Sequence, residues 1–329
     1  MTQQQVNVSA LADGVAAGDR RSLARAITLV ESTRADHRAA AEELLERLMP
    51  STGKSIRVGI SGVPGVGKSS FIESFGEQVT GKGHKLAVLA VDPSSKRSGG
   101  SILGDKTRME ALSRNRSAFI RPSPAGATLG GVARRTREAM LVCEAAGFDV
   151  ILVETVGVGQ SETAVAEMTD MFLLLLLPGG GDELQGLKKG IVELADMILV
   201  NKADGDLIDT AKRSVAEYTS ALRMLRPASP NWNVPVLSCS ARTGDGIEEA
   251  WQKIEAFREA LGGSGEIARR RSAQALDWLW TEVGEGLIAA LKAHPAIVAD
   301  LPDVERKVAD GALPPTIAAR RLIGLFARS

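Results

Sequence analysis

The stretch that decides the fold of this chain spans residues 62–69 and reads Gly62-Val63-Pro64-Gly65-Val66-Gly67-Lys68-Ser69. A strand-like run, Ile56–Ser61, precedes it, and Ser70–Phe75 has helical character. A strand, a glycine-rich turn and a helix N-terminus form an anion cradle, because the glycines let backbone N–H groups point inward and the helix dipole adds positive charge. The sequence therefore predicts the phosphate-binding loop of a P-loop NTPase.

The spacing within this loop gives its last residues distinct tasks. We expect Lys68 to reach the β- and γ-phosphates of a nucleotide, as a catalytic charge, and the Ser69 hydroxyl to ligate Mg²⁺. The other predicted members of the phosphate cradle are Gly62, Val63, Pro64, Gly65, Val66, Gly67 and Ser70.

A second motif, Asn201-Lys202-Ala203-Asp204, directly follows the apolar run 198–200. The carboxyl end of a strand is where open parallel α/β sheets bind ligands. The Asp204 carboxylate can accept the N1–H and N2–H of guanine, and adenine offers neither in that arrangement. A buried acceptor left unpaired costs about 1–3 kcal/mol, so the motif favours GTP over ATP. We expect Asn201 to tie loops together and contact the base, and the Lys202 stem to cover the ring.

A third segment, which follows the first two along the chain, is also typical of a GTPase. The predicted strand Val234–Ser238 is followed by Cys239-Ser240-Ala241. We expect the turn at Ser240 and Ala241 to present a backbone N–H to the guanine O6. This pattern is weak alone, but it supports guanine recognition as the third element in sequence.

Two further strand ends carry carboxylates. Phe148–Glu154 is a predicted buried strand, and Glu154 is placed to hold the Mg²⁺ shell through water, because Mg²⁺ keeps several of its waters. Lys85–Val91 is another, and Asp92 follows it. Asp105 is a further candidate for the metal shell or the attacking water, on weaker grounds.

Three more residues are candidates for sensing or catalysis. The Gly157 N–H is placed to detect the γ-phosphate and to release the following loop after hydrolysis. Gln160 is displaced from the position directly after that glycine, where many GTPases carry a water-orienting glutamine, so its role stays open. Lys188 lies in the glycine-rich, charged loop 178–189, which either moves with nucleotide or simply connects a strand to a helix. Loop 94–101 is likewise either a switch or an ordinary surface loop.

Composition excludes several other classes. The 329 residues contain 40 acidic and 40 basic side chains, so no excess charge points to nucleic acid or an anionic membrane. The longest aliphatic run, Phe172–Leu177, is far shorter than the ~20 residues of a membrane span. Cys143, Cys239 and three scattered histidines indicate neither a disulfide framework nor a metal store. Residues 1–5 do not resemble a signal peptide, and we expect a cytoplasmic protein.

The pattern divides the chain into three parts. Residues 1–53 form a helical segment, residues 54–261 alternate strands and helices, and residues 262–329 form a helical arm after a Gly-Gly-Ser-Gly hinge. The expected fold is α/β, a P-loop NTPase with a mostly parallel sheet flanked by helices. In the arm, a helix over about 266–293 carries one apolar face: Leu276, Leu279, Trp280, Val283, Leu287 and Leu291. Extra apolar residues outside this face indicate either a homodimer or burial within one chain.

Nearly the whole chain resembles the ArgK/MeaB/MMAA family, the GTPase chaperones of methylmalonyl-CoA mutase. The resemblance rests on residues 62–69, Val91-Asp92-Pro93-Ser94-Ser95, Thr128-Leu129-Gly130-Gly131-Val132-Ala133, Glu154-Thr155-Val156-Gly157-Val158-Gly159-Gln160-Ser161-Glu162 and residues 201–204. The run from Glu154 is the most specific, because other GTPases have Asp-x-x-Gly there.

The resemblance implies more than the motifs alone. Members of this family bind GTP and Mg²⁺ and hydrolyse GTP slowly. They bind the adenosylcobalamin-dependent mutase, gate loading of its cofactor and protect it from inactivation. They are homodimers joined through a C-terminal dimerisation arm, and their mobile segments correspond to 92–108, 154–166 and 177–189 here.

Three alternatives remain at this stage. A GTPase chaperone for nickel insertion lacks its histidine and cysteine cluster here. A targeting GTPase of the signal-recognition type would need a methionine-rich groove, and the eight methionines are dispersed. A metabolic P-loop kinase would leave Asn201–Asp204 unexplained, and selectivity for GTP separates it from the others.

Overall fold

The computed structural model describes residues 7–91, 109–122, 129–155, 161–179, 189–225 and 228–327. The chain divides into two compact units, Met1–Ala268 and Arg269–Ser329. The three parts expected from the sequence, with boundaries after residues 53 and 261, stay a prediction.

A seven-stranded sheet organises the first unit. Its strands are β1 Ile56–Gly62, β2 Leu86–Val91, β3 Ala118–Arg121, β4 Val150–Thr155, β5 Met171–Leu176, β6 Met197–Val200 and β7 Val236–Ser238. They lie in the order β3-β2-β4-β1-β5-β6-β7, and every neighbouring pair is parallel. In register, Val58 faces Leu152 on one side and Met171 on the other. The predicted parallel α/β sheet is confirmed.

Helices cover both faces of this sheet. In chain order they are α1 Val8–Ala16, α2 Arg20–Val30, α3 Ala35–Leu48, α4 Lys68–Gly81, α5 Glu110–Arg114, α6 Leu129–Ala145, α7 Ser161–Ala166, α8 Lys189–Leu194, α9 Ile208–Leu222 and α10 Ile247–Gly263. Alternate residues of a strand point to opposite faces. Thus Leu152 of β4 packs in the core under α4 and α10, whereas Val153 packs in the core that includes α1, α2 and α6.

The N-terminal segment forms three helices, and the first two begin at polar side-chain caps. The Asn7 side chain accepts from the Ala10 N–H at 3.0 Å, and Asp19 accepts from the Ser22 N–H at 2.8 Å. Helical spacing predicts two apolar stripes in this segment: Leu23, Ile27 and Val30, and Leu44, Leu45, Leu48 and Met49. The first stripe is buried, as are Leu44 and Leu48 of the second. Met49 was expected in that second stripe but is 50% exposed, because it begins a short 3₁₀ turn, Met49–Ser51, where α3 ends.

The second unit contains most of helix α11, Glu266–Ala293, then α12, Pro295–Ala309, and α13, Pro315–Phe326. The predicted helix over 266–293 is confirmed, and it ends directly before His294-Pro295. Helix α12 did not follow from the sequence pattern. It begins at Pro295 because a proline at the first helical position sacrifices no helical hydrogen bond.

Helices α12 and α13 form a small core of their own. Ile297 and Val304 of α12 and Ala318 of α13 are buried, and Arg321 pairs with Asp300 at 2.7 Å. Helix α11, in contrast, carries large apolar side chains that are exposed: Leu276, Leu279, Trp280, Val283, Leu287 and Ile288. Among the described residues, no helix has both the length and the apolar character needed to cross a bilayer.

Candidate nucleotide-binding site

The predicted motifs meet at one edge of the sheet. Strand β1 lies between β4 and β5. Strands β2, β3 and β4 lie on one side of β1, and strands β5, β6 and β7 lie on the other side. This reversal of strand order opens a crevice at the carboxyl ends, where doubly wound folds bind ligands. Residues 62–69 follow β1, Glu154 lies at the end of β4, residues 201–204 follow β6 and residues 239–241 follow β7.

Two glycines give the loop after β1 its shape. A Cβ on Gly62 would lie 2.5 Å from the carbonyl oxygen of Leu175, so the backbone can pass β5 only as glycine. Gly67 has a φ of +93° directly before α4, and a Cβ there would lie 2.8 Å from Nδ2 of Asn201. The loop therefore turns tightly into the N-terminus of α4, which begins at Lys68 and presents its free N–H groups to the crevice.

Lys68 is a buried cation. Its residue is 9% exposed, and its Nζ donates to the carbonyl oxygens of Gly62, at 2.6 Å, and Val63, at 3.4 Å. Burial lowers the pKa of this ammonium, against the opposing attraction of the carboxylates of Glu154 and Glu162. Burial therefore destabilises the charged form of Lys68 in the loop, and an anionic phosphate bound beside it would stabilise that form.

The candidate metal residues lie beside this lysine. Glu154 is buried on β4, in register with Ile60 of β1, and Ser69 is half-buried in the first turn of α4. A hydroxyl and a carboxylate are hard oxygen donors, and Mg²⁺ takes few protein ligands and keeps waters and phosphates as the others. The described residues contain no cluster of three histidine, cysteine or acidic side chains that could hold a metal ion unaided. The donors present fit a Mg²⁺ ion that arrives with its nucleotide.

Asn201 links three loops. Its buried side chain donates from Nδ2 to the carbonyl oxygen of Val66 at 2.9 Å, and its Oδ1 accepts from the Ala241 N–H at 3.1 Å. The Cys239 thiol lies 3.7 Å from the same oxygen, and burial raises its pKa to about 12, which keeps it neutral. One amide thus joins the phosphate loop to the turn after β7.

Lys202 has an unusual backbone. Its φ is +60°, the only positive φ among the described residues other than glycine. A left-handed conformation costs a non-glycine residue about 1–2 kcal/mol. Such strain persists where surrounding structure fixes it, often at a ligand site. Here the buried Asn201 precedes it, and the Ala203 N–H donates to the Cys239 carbonyl oxygen at 3.0 Å.

Asp204 is held from two sides. Its side chain is 20% exposed; its Oδ2 accepts from the Ser240 hydroxyl at 2.5 Å, and its Oδ1 lies 3.2 Å from Nη2 of Arg242. The sequence had placed Ser240 and Ala241 at the guanine through the backbone. In the structure the Ser240 N–H donates to the Asp245 carbonyl oxygen at 2.9 Å, and the Ala241 N–H donates to Asn201. A guanine O6 would therefore share the Ala241 N–H with Asn201.

The site also contains a residue that motif reading missed. Arg242 directly follows Ser240 and Ala241, and that adjacency was the available signal. Five predicted residues lie outside the described part of the chain: Asp92, Asp105, Gly157, Gln160 and Lys188.

Comparison with known proteins adds independent information. The family described as "Methylmalonyl Co-A mutase-associated GTPase MeaB" matches residues 23–296. A "Putative GTPase" of Caulobacter vibrioides is 57% identical, with 98% of this chain and 98% of that protein covered. The mitochondrial "Methylmalonic aciduria type A homolog" of Mus musculus is 52% identical, with coverage of 98% and 80%.

One solved structure covers the full length of both chains. It is described as an "LAO/AO transport system kinase", is 38% identical to this chain and superimposes with a TM-score of 0.77. The "GTPase ArgK" of Escherichia coli is 48% identical, with 88% of each chain covered. The sequence comparisons and the superposition with a solved structure therefore point to the same family and the same fold.

Proposed function

We propose that this chain, which belongs to the MeaB family of methylmalonyl-CoA mutase-associated GTPases, binds methylmalonyl-CoA mutase, gates its loading with adenosylcobalamin and protects it from inactivation. Its chemical activity is that of a GTPase, a hydrolase acting on GTP. The mutase partnership is supported by the family description and by the names of the animal relatives.

The observation that carries the nucleotide site is the buried ammonium of Lys68. Among the described residues its hydrogen bonds go only to the two loop carbonyls of Gly62 and Val63. These carbonyls, together with the attraction of Glu154 and Glu162, do not offset the burial of the charge, which lowers the pKa of the ammonium. A triphosphate seated on the N–H groups at the start of α4 would complete its surroundings, and the charge would then oppose the negative charge that develops during phosphoryl transfer.

We assign the metal to residues at the same place. Ser69 and Glu154 would hold Mg²⁺, with Asp92 and Asp105 as further candidates, and the bound ion would supply charge neutralisation at the phosphates. Gly157, Gln160 and Lys188 are candidates for sensing the γ-phosphate or orienting water. Slow turnover fits a chain in which motif analysis finds no clear arginine finger.

Base selectivity would come from Asp204. Its carboxylate is mostly buried and fixed by Ser240, so its position is set before a nucleotide arrives. The N1–H and N2–H of guanine match its two oxygens, whereas adenine would leave the carboxylate without those donors. Asn201 and the Lys202 stem would complete the base site, together with the turn at Ser240 and Ala241.

The useful output would be a conformational change. A nucleotide can bias a protein only through contacts that differ between its two states. Loss of the γ-phosphate is such a difference, and residues 92–108, 154–166 and 177–189 are the candidate responders.

A homodimer through the C-terminal arm would complete the assembly. Trp280 on α11 is 70% exposed and shares its face with four other exposed apolar side chains, Leu276, Leu279, Val283 and Leu287. A contiguous exposed apolar face of this kind typically marks an interface. Sedimentation of the full chain should give a dimer, and W280E should shift it toward monomer; an unchanged dimer would place the interface elsewhere.

The proposal is tested by GTP hydrolysis, alone and with apo methylmalonyl-CoA mutase, with ATP as the nucleotide control and the K68M variant as the protein control. We expect slow hydrolysis of GTP and not ATP, a rate that rises with mutase, and a rate lower by about 100-fold or more in K68M. A GTP-specific rate that ignores mutase would overturn the partner while keeping the nucleotide. Loading of adenosylcobalamin into the mutase, followed by its absorbance, tests the gating function in the same mixture.

A further inference from the structure

Both oxygens of the Asp204 carboxylate already have a partner within the protein, one through a hydrogen bond and the other through an ion pair. The Ser240 hydroxyl serves Oδ2 at 2.5 Å, and the Arg242 guanidinium lies 3.2 Å from Oδ1. These two partners differ in kind. Ser240 is fully buried and neutral, whereas the Arg242 side chain is 79% exposed and charged. The buried donor fixes the carboxylate from inside, and the charged one lies on its solvent side.

The turn that carries Arg242 is fixed at its backbone. The Ser240 hydroxyl accepts from the Thr243 N–H at 3.2 Å, and the Gly244 N–H donates to the Ser240 carbonyl oxygen at 2.9 Å. A Cβ on Gly246, at φ +73°, would lie 2.3 Å from the Ser238 carbonyl oxygen, so the turn returns close against β7. The Arg242 side chain is therefore delivered beside Asp204 by a defined turn, while its own length leaves it free to swing away.

Access to Asp204 follows from these positions. A base must approach from solvent, which is the side of the carboxylate where the exposed Arg242 lies. In the protein without nucleotide the arginine neutralises a mostly buried carboxylate whose hydrogen bond from Ser240 supplies no counter-charge. An entering guanine has to take over at least one of these oxygens for its N1–H and N2–H.

We propose that Arg242 competes with guanine for Asp204: it pairs with the carboxylate in the empty protein and is displaced by the base. This inference rests on the proposed reading of guanine by Asp204. The competition weakens guanine nucleotide affinity and slows association, because part of the binding free energy is spent on breaking the ion pair. It also stabilises the empty state that nucleotide exchange must pass through.

The test is R242Q, which removes the charge and keeps a polar side chain. An exposed pair is typically worth about 0.2–1 kcal/mol, so GDP should bind R242Q about 1.4-fold to fivefold more tightly than wild type, with faster association. The difference should shrink as salt rises, because screening weakens the pair in wild type. The matched control is R213Q on α9, where the arginine contacts Thr210 on the same exposed helix, and its GDP affinity should equal that of wild type.

A double variant separates this inference from the reading of guanine. D204N replaces one acceptor by a donor, so it should lose guanine and gain xanthine, which carries an oxygen at position 2. On the D204N background, measured with xanthosine diphosphate, R242Q should have no effect because the carboxylate is gone. The proposed competition would be overturned if R242Q bound GDP more weakly than wild type. It would also be overturned if R242Q increased nucleotide affinity equally with Asp204 present and on the D204N background. If D204N leaves base preference unchanged, Asp204 does not recognise guanine. The proposed base selectivity of Asp204 and its competition with Arg242 would then both be wrong.

Discussion

Two buried charges at opposite edges of the same sheet differ in how fully the protein compensates them. Glu144, at the end of α6, accepts from Nη2 of Arg57 at 2.9 Å, from Nε of Arg57 at 3.0 Å and from the Gly53 N–H at 2.8 Å, and also from the Ser55 hydroxyl. Lys68, at the other edge, has two carbonyl oxygens, one of them at 3.4 Å. One charge is fully compensated by the protein, and the other is not.

The pKa shifts express the same difference. Burial alone would raise the pKa of Glu144, but the hydrogen bonds and charge of Arg57, with Ser55 and Gly53, more than offset it and lower the pKa. For Lys68, burial lowers the pKa of the ammonium and the nearby carboxylates do not restore it. A compensated charge holds elements together, whereas an uncompensated one points to a missing ligand. This contrast supports a structural role for the charge at the amino edge of the sheet and the proposed nucleotide site at the carboxyl edge.

The largest expected effect is that of K68M on catalysis. Removing the charge should lower GTP hydrolysis about 100-fold or more, since one lost electrostatic contact to a transition state costs about 10²–10³. The melting temperature without nucleotide should stay equal or rise, because an incompletely paired buried charge is removed. Single-turnover hydrolysis and a thermal melt measure the two quantities. A melting temperature that falls sharply would make Lys68 structural, like Glu144.

The opposite pattern is expected for E144Q. Breaking a buried pair leaves the Arg57 charge uncompensated, so the free energy of unfolding should fall by about 3–5 kcal/mol. GDP affinity of the folded protein should not change, because the pair lies at the far edge of the sheet. Urea unfolding and GDP titration check both statements. The matched control is E43Q, whose exposed pair with Arg47 should matter by about 0.5 kcal/mol or less.

A third variant examines a neutral side chain, Asn201, that we expect to contribute both to stability and to nucleotide binding. N201A removes the amide that joins Val66 to Ala241, leaving the Val66 carbonyl and the Ala241 N–H without this partner. Each such loss costs about 1–3 kcal/mol, so GDP affinity should fall about tenfold to 100-fold and stability should fall as well. N231A, at a side chain that pairs with Glu266 away from the site, is the control. Unchanged GDP affinity in N201A would remove Asn201 from the site.

The sequence predicted the functional edge much better than the structural one. Parallel strands buried on both faces read as continuous apolar runs, and each motif follows such a run, so the sheet could place residues 62–69 beside 201–204. No local pattern pairs Arg57 with Glu144, which lie 87 positions apart. The ion pair of Arg242 with Asp204 was missed for the same reason: it depends on where two turns meet, which the fold decides.

The smallest expected effect is on the pH dependence of stability, and its sign differs between the two edges. Glu144 has a folded pKa below its ordinary value near 4.5, so its stabilisation is full above that value and is lost as pH falls through the lowered pKa. Lys68 has a folded pKa below its ordinary value near 10.5, so between the two the unfolded chain binds more protons and stability rises with pH.

The stability deficit of E144Q should therefore shrink only below about pH 4.5, and the advantage of K68M only as pH rises toward 10.5. Urea unfolding of the three proteins across both ranges would measure these differences. Parallel curves for K68M and wild type at high pH would mean that Lys68 is fully compensated without a ligand. The contrast between the two edges, and with it the reading of Lys68 as a phosphate-binding charge, would then fail.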